Sequence, residues 1–297
     1  MNILVTGSNG FVGGALARIL GEDNYIIGCG TKEQAVVEVD KYVRWDMGRE
    51  DVPQEIVSED IDIIVHAAAC LDKNNTNEEL IYANCLGTHR IFCLAKEKEV
   101  KKVYYISGLP VIGTPKIHPI TEEHPLEPPT MYHATKLAGE FILNQLIGDG
   151  IEVVNLRVPS PIGPGMPVKT ILPIFASNAL RGDTIKLVGK GTRRQNYLDV
   201  RDLATLIQES LEMKDIAGTY NIASKETVSN VELATLCIEL ADSNSNVEFL
   251  PMEDITDDQV WDTDTGLISE KLNFVQNYTI RDSVADIIQH LKIERDE

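Results

Sequence analysis

Tyr132 and Lys136 stand four residues apart in "TMYHATKLAGEFIL", one helical turn apart and on the same face. An ammonium beside a phenol favours the phenolate, which suits a tyrosine that gives and takes protons. A partly exposed pair with no chemistry has the same spacing. A second pattern lies at the N-terminus, where "VTGSNGFVGGAL" places Gly7, Gly10 and Gly13 at three-residue intervals. A dinucleotide needs such a turn: Gly7 for tightness, Gly10 for room beside the pyrophosphate, Gly13 for close packing of helix on strand. The helix that follows offers its N-terminus to the negative charge, and Asn9 is placed to brace the turn. A purely structural strand–turn–helix reads the same way, so the elements around both patterns must decide.

Those elements alternate through the first half. Strand-like apolar runs at 3–6, 25–28, 61–67, 103–107 and 152–157 are separated by helical patterns at 11–20, about 78–98 and 132–147. Continuous apolar strands alternating with helices predict a parallel sheet covered on both faces, an α/β fold. The composition shifts at "RVPSPIGPGMPV", whose prolines and glycines exclude a long regular element. Shorter mixed elements follow, with helical patterns at 202–212, 230–241 and 280–291. The chain is therefore divided into a dinucleotide-binding part, 1–160, and a smaller substrate lobe, mainly 161–297, with some segments returning to the first part.

Composition narrows the partners. The chain has 297 residues and a formal charge of −19, which repels nucleic-acid backbone and anionic membrane and favours neither as a partner. No apolar run nears the ~20 residues that span a bilayer, and the first residues lack the order of a signal peptide. Five cysteines without a C-x-x-C pair read as reduced thiols of a cytoplasmic protein. The six histidines lack metal-ligand spacing, so no metal site is expected.

The motifs together resemble the extended short-chain dehydrogenase/reductases, within the NAD-dependent epimerase/dehydratase family that acts mostly on nucleotide sugars. The resemblance runs from "VTGSNGFVGGAL" through "WDM", "VHAAA", "ANCLGT", "YYISG", "YHATK", "LRVPSPIGPG" and "NYLDVRDLA" to "GTYNIAS" and "LNF". It implies a Rossmann-like, doubly wound parallel sheet carrying NAD or NADP, with a smaller C-terminal lobe closing over the substrate. By position, Gly7, Asn9, Gly10, Phe11 and Gly13 would surround the pyrophosphate, and Asp46 and Met47 would meet adenine. Ala67, Ala68, Ala69, Asn84 and Pro159 would line the cofactor. Tyr132 would be the acid/base, and Lys136 would serve both the nicotinamide ribose and Tyr132. The family also implies a homodimer paired through the helices at 78–98 and 132–147.

Several positions depart from the family. Gly108 stands where the family places a Ser or Thr that polarises the substrate oxygen, which leaves Ser107 as the adjacent candidate. Ser160 replaces a common Asn, and Gln195 a common Arg, so Arg193 and Arg194 become the candidates for a substrate diphosphate. Gly30 occupies the place of the ribose-binding carboxylate, with Lys32 close behind, which tilts the cofactor toward NADP. Gly108-Leu109-Pro110 replaces the Asp-Glu pair usual in dehydratases of this family. Three readings follow: an epimerase or reductase of a nucleotide-linked sugar, a reductase or dehydrogenase of a non-sugar carbonyl compound, and a cofactor-binding regulator without catalysis.

Overall fold

Runs such as "ILV" at 3–5 and "IIV" at 63–65 leave no polar position for a wet face, so their strands must be covered on both sides. The computed structural model of the chain describes residues 1–71 and 76–296. Its first half contains β1 (Asn2–Thr6), α1 (Phe11–Leu20), β2 (Tyr25–Gly30), β3 (Lys41–Arg44), α2 (Gln54–Val57), β4 (Ile63–His66) and α3 (Asn77–Leu80). A π-helical run at Ile81–Leu86, α4 (Gly87–Glu97), β5 (Lys102–Gly108), a 3₁₀ turn at Leu109–Ile112, α5 (Met131–Asn144) and β6 (Glu152–Val158) follow. The second half holds β7 (Ser160–Ile162), α6 (Ile171–Arg181), β8 (Ile185–Val188), β9 (Arg194–Asp199), α7 (Val200–Ser210) and β10 (Gly218–Asn221). It ends with β11 (Thr227–Ser229), α8 (Asn230–Leu240), β12 (Val247–Leu250), β13 (Val260–Trp261), α9 (Gly266–Leu272) and α10 (Ile280–Asp296).

Seven strands form one parallel sheet in the order β10-β6-β5-β4-β1-β2-β3. The order reverses between β1 and β4, and a crevice at the carboxyl ends of the strands belongs there in a doubly wound fold. Alternation along each strand fills two cores. Ile3 and Val5 pack with Leu16 of α1 and Leu203 of α7. Leu4 and Val103 pack on the other face with Ile91 of α4 and Leu143 of α5.

Segments after residue 160 do two jobs. β10 returns to the sheet edge beside β6, and α7 covers the sheet. Most of the rest surrounds a separate core of Leu172, Leu233, Val284 and Ile288 from α6, α8 and α10. Two expectations are refined. The helix at 78–98 is interrupted by the π-helical run, and β3 is a strand that the sequence reading omitted. "KYVR" has charged residues at both ends and buries only Val43, as an edge strand allows, so the search for continuous apolar runs passes over it.

Candidate active site

The turn after β1 is set by three close approaches. Gly7 has φ +69°, and a Cβ there would lie 2.8 Å from Ala68 Cα. The amides of Gly7 and Ser8 both donate to the Cys29 carbonyl, at 2.8 and 3.2 Å, fixing the turn to β2. A Cβ on Gly13 would overlap the Gly7 carbonyl, so the third residue of α1 must be glycine. Gly10 differs: it is exposed, and its Cβ would meet only Gly7 O at 3.2 Å. Gly10 caps α1 with no side-chain hydrogen bond, and the first turn carries no acidic residue. The open side of Gly10 and an uncapped helix N-terminus fit a pyrophosphate.

Asn9 braces the neighbouring loop. Its Nδ2 donates to Gln34 O and Tyr42 Oη, each at 2.9 Å, and its Oδ1 accepts from Val36 N at 2.7 Å. Tyr42 Oη in turn donates to Lys32 O at 2.7 Å, so the Lys32 backbone is held while the residue stays exposed. A Cβ on Gly30 would lie 3.4 Å from that phenol oxygen, so Tyr42 flanks the position of the missing carboxylate. Asp46 follows β3 and accepts from Gly48 N at 3.2 Å. Met47, expected against adenine, has its side chain in the core beneath α4. A Cβ on Gly87 would lie 2.9 Å from Met47 Cγ, and this close approach of α4 to the turn after β3 accounts for the burial.

The loop after β4 carries Ala67 to Ala69 and is fixed from below. Ala68 N donates to Thr6 Oγ1 at 3.1 Å, and Thr6 Oγ1 lies 2.8 Å from His66 Nδ1. His66 Nε2 lies 2.9 Å from Thr88 Oγ1, which donates to Asn84 O at 2.5 Å. Since Thr88 gives its proton away, it accepts from Nε2–H, and Nδ1 accepts from Thr6; the network assigns the tautomer. Burial, aided by the Lys136 charge, brings the His66 pKa down to about 3, so this imidazole is neutral.

Asn84, expected at the cofactor, is buried inside the π-helical run. Its Oδ1 accepts from Cys70 N at 2.7 Å, and its Nδ2 donates to Cys70 O and Thr135 Oγ1, each at 3.0 Å. Thr135 Oγ1 then donates to Tyr132 O at 2.7 Å. Asn84 thus ties the cofactor loop to the helix that carries Tyr132.

On α5, Gly139 lets the helix settle against Tyr105 of β5, because any Cβ would strike that phenol. Lys136 is 3% exposed, and its Nζ lies 4.2 Å from the centre of the Tyr105 ring. Burial lowers the Lys136 pKa to about 7, against an opposing pull from the Glu140 carboxylate. Tyr132 is half-buried, one turn before Lys136, its ring edge-on to His133 at 5.1 Å. Ser107 is engaged elsewhere. It is 4% exposed and donates to Glu140 Oε1 at 2.5 Å. Arg157 completes the arrangement, with Nε to Glu140 Oε1 at 3.0 Å and Nη2 to Oε2 at 2.8 Å. A Cβ on Gly108 would meet only Pro110 Cδ, at 3.7 Å.

The sequence reading missed Glu140 and Arg157, although both left a signal. Glu140 continues the four-residue spacing of Tyr132 and Lys136, and Arg157 interrupts the apolar strand "VVNLRV", where a cation must find a partner.

The substrate candidates separate. Ser160 opens β7 beside Tyr197 of β9, just after Pro159. Arg194 is fully engaged: Nη1 pairs with Glu232 at 2.9 Å, Nη2 donates to Thr227 O at 2.6 Å, and Nε donates to Thr227 Oγ1 at 3.2 Å. Arg193 lies 5.7 Å from the Trp261 ring, and its buried Nε has no partner among the described residues. No group of three or more His, Cys, Asp or Glu able to hold a metal occurs among the described residues.

A family model described as the NAD dependent epimerase/dehydratase family matches residues 3–223. A putative UDP-glucose 4-epimerase of Methanocaldococcus jannaschii is 29% identical over 245 residues, covering 77% of this chain and 79% of the relative. A dTDP-glucose 4,6-dehydratase of Streptomyces niveus is 24% identical, covering 99% of this chain and 94% of the relative. Among solved structures, the UDP-glucuronic acid 4-epimerase of Bacillus cereus in complex with NAD aligns with a TM-score of 0.87 at 22% identity, covering 99% of each chain. With the glycine turn open at Gly10 and Tyr132 and Lys136 aligned on α5, the chain belongs to the NAD dependent epimerase/dehydratase family.

Proposed function

We propose that the protein is an NAD-dependent 4-epimerase of a nucleotide-linked sugar. The observation that carries the reading is Lys136 buried beneath α5 one turn from Tyr132, in a chain whose glycine turn is open at Gly10. NAD held by Gly7, Gly10 and Gly13 would supply the hydride acceptor and donor. Tyr132, as the phenolate, takes the proton from the sugar hydroxyl and, as the neutral phenol, later returns it; the Lys136 cation favours the phenolate before the first transfer and after the second. Arg193, with an unpartnered Nε, replaces Arg194 as the residue to meet the substrate diphosphate, with Ser160 on the neighbouring strand.

NAD is chosen because the Bacillus cereus relative is in complex with NAD. The lean toward NADP finds no support, since only the backbone of Lys32 is anchored beside Gly30. The reductase reading is favoured by an apolar loop after β5 and by the missing substrate Asn and Arg, and the first of these has a structural account. The apolar "GLPVIG" buries Leu109, Val111 and Ile112 against Ile120 and Trp261 and builds core. The division at residue 160, the cytoplasmic location and the homodimer remain part of this proposal. Unbonded cysteines support the location, and exposed apolar residues in the π-helical run and on α5 support the dimer.

The test is conversion of UDP-glucose or UDP-glucuronic acid to its 4-epimer, followed by NMR, with Tyr132→Phe as the control. That variant keeps the ring but loses the transferable proton, so turnover should fall ~10²–10⁴-fold with NAD affinity little changed. Full turnover in Tyr132→Phe would end the mechanism. NAD binding without conversion of any nucleotide sugar would favour the regulator.

A further inference from the structure

Ser107, Glu140 and Arg157 form a buried polar group that the proton transfer does not use directly. In-register pairing of β5 and β6 sets Ser107 beside Arg157, and α5 lays Glu140 over both. Glu140 is 3% exposed, and each carboxylate oxygen is held. It is also one turn beyond Lys136 on the same helical face, as Lys136 is one turn beyond Tyr132.

The charged and titratable groups around Lys136 come from several elements. β4 contributes His66, held neutral, and β5 contributes Tyr105, whose phenol burial keeps protonated. The π-helical run contributes Cys85, its thiol pushed up by burial. α5 contributes Tyr132 and Glu140, and β6 contributes Arg157. Beyond Arg157, the half-buried carboxyl of Glu122 feels the guanidinium and accepts from Asn221 N at 2.8 Å. Of the two carboxylates, Glu140 shares the buried face of α5 with Lys136, whereas Glu122 lies with Arg157.

We propose that Glu140 is a positioning residue for the reaction. Its carboxylate, clamped by Ser107 and Arg157, is the buried counter-charge that keeps the Lys136 ammonium protonated beside Tyr132. Ser107 serves the clamp and does not touch substrate. The inference rests on the reading of Tyr132 and Lys136 as the proton-transfer pair. Without the carboxylate, desolvation acts on Lys136 unopposed, its proton leaves at lower pH, and the phenolate loses its partner.

The experiment titrates Lys136 directly, by NMR of protein labelled with ¹³C,¹⁵N-lysine, with the resonance assigned by its loss in Lys136→Arg. Glu140→Gln should lower the Lys136 titration point by about one pH unit, a tenfold loss of proton affinity. The alkaline limb of the kcat–pH profile should move down with it. Glu140→Asp restores the charge and should return the titration toward the wild-type point. Glu140→Gln strands the Arg157 charge, so Glu140→Gln/Arg157→Gln is the companion should the single variant not fold, with a shift in the same direction expected. Ser107→Ala should leave KM for the sugar nucleotide unchanged. A Lys136 titration unmoved in a folded Glu140 variant would overturn the proposal, as would a kcat loss with no movement of the alkaline limb. A shifted Lys136 in a protein that converts no nucleotide sugar supports the clamp and overturns only the reaction proposed above.

Discussion

At the scale of single residues, a side chain that looks catalytic, Ser107, is engaged in holding the site, and a glycine leaves space unused. Ser107 gives its proton to Glu140, so it cannot donate the same proton to a substrate oxygen. Gly108 has extended backbone angles, φ −127° and ψ 131°, which any residue adopts, and room for a Cβ. Gly108→Ser should therefore fold and, if a hydroxyl there polarises the substrate oxygen, raise kcat by up to ~10²-fold. An unchanged kcat would mean that the oxygen is held by other means. His66 makes a pH prediction. Its folded-state pKa of about 3 lies below the 6.5 of a free imidazole, so the unfolded chain takes up the proton first as pH falls. Stability is lost on acidification through that window, by on the order of 3 kcal/mol between pH 6.5 and 4. Urea unfolding across that range should show the loss, and His66→Gln should flatten it. Equal slopes would mean that the imidazole is not held neutral.

At the scale of elements, β1, the glycine turn and α1 form one unit in which the three glycines have different duties. Gly7 and Gly13 make room for the protein's own backbone, whereas the space beside Gly10 is left open. Gly13→Ala should fail to fold normally, because its new Cβ meets a carbonyl with no way to yield. Gly10→Val should keep the circular dichroism spectrum and lose NAD affinity by ~10²-fold or more, measured by calorimetry. Undiminished affinity would remove the cradle. The π-helical run makes a similar point about α3 and α4. A regular helix would give Asn84 a different angular position, and the extra residue per turn accompanies its bridge from Cys70 to Thr135.

At the scale of the whole molecule, the sheet is covered on both faces, yet a few apolar side chains on its helices stay exposed. Tyr82 and Leu86 in the π-helical run are 46% and 36% exposed, and Phe141 on α5 is 60% exposed. A second copy paired through these helices would cover them, whereas scattered exposed apolar residues on a monomer need no partner. Light scattering at micromolar concentration should give twice the chain mass, and Phe141→Asp should shift the protein toward monomer. A wild-type monomer mass would reject the dimer. No helix among the described residues is long and apolar enough to cross a membrane.

The local patterns in the sequence determined much of this protein. The spacing of glycines, the run of apolar strands and the four-residue separation of Tyr132 and Lys136 each follow from backbone geometry within one or two elements. Spacing along a helix is legible because one turn fixes which residues share a face. Tertiary structure alone decided where hydroxyls, amides and charges ended. Ser107 and Arg157 are 50 positions apart in sequence and meet only through β5–β6 register. Asn84 reaches Thr135 across 51 positions, and Met47 is in the core because Gly87 admits it. Arg193 and Arg194 are adjacent in sequence yet fall on opposite faces of a chain entering β9, so one binds Glu232 while the other lies against Trp261. A side chain's partner depends on strand order, register and burial, and these are properties of elements brought together from distant parts of the chain.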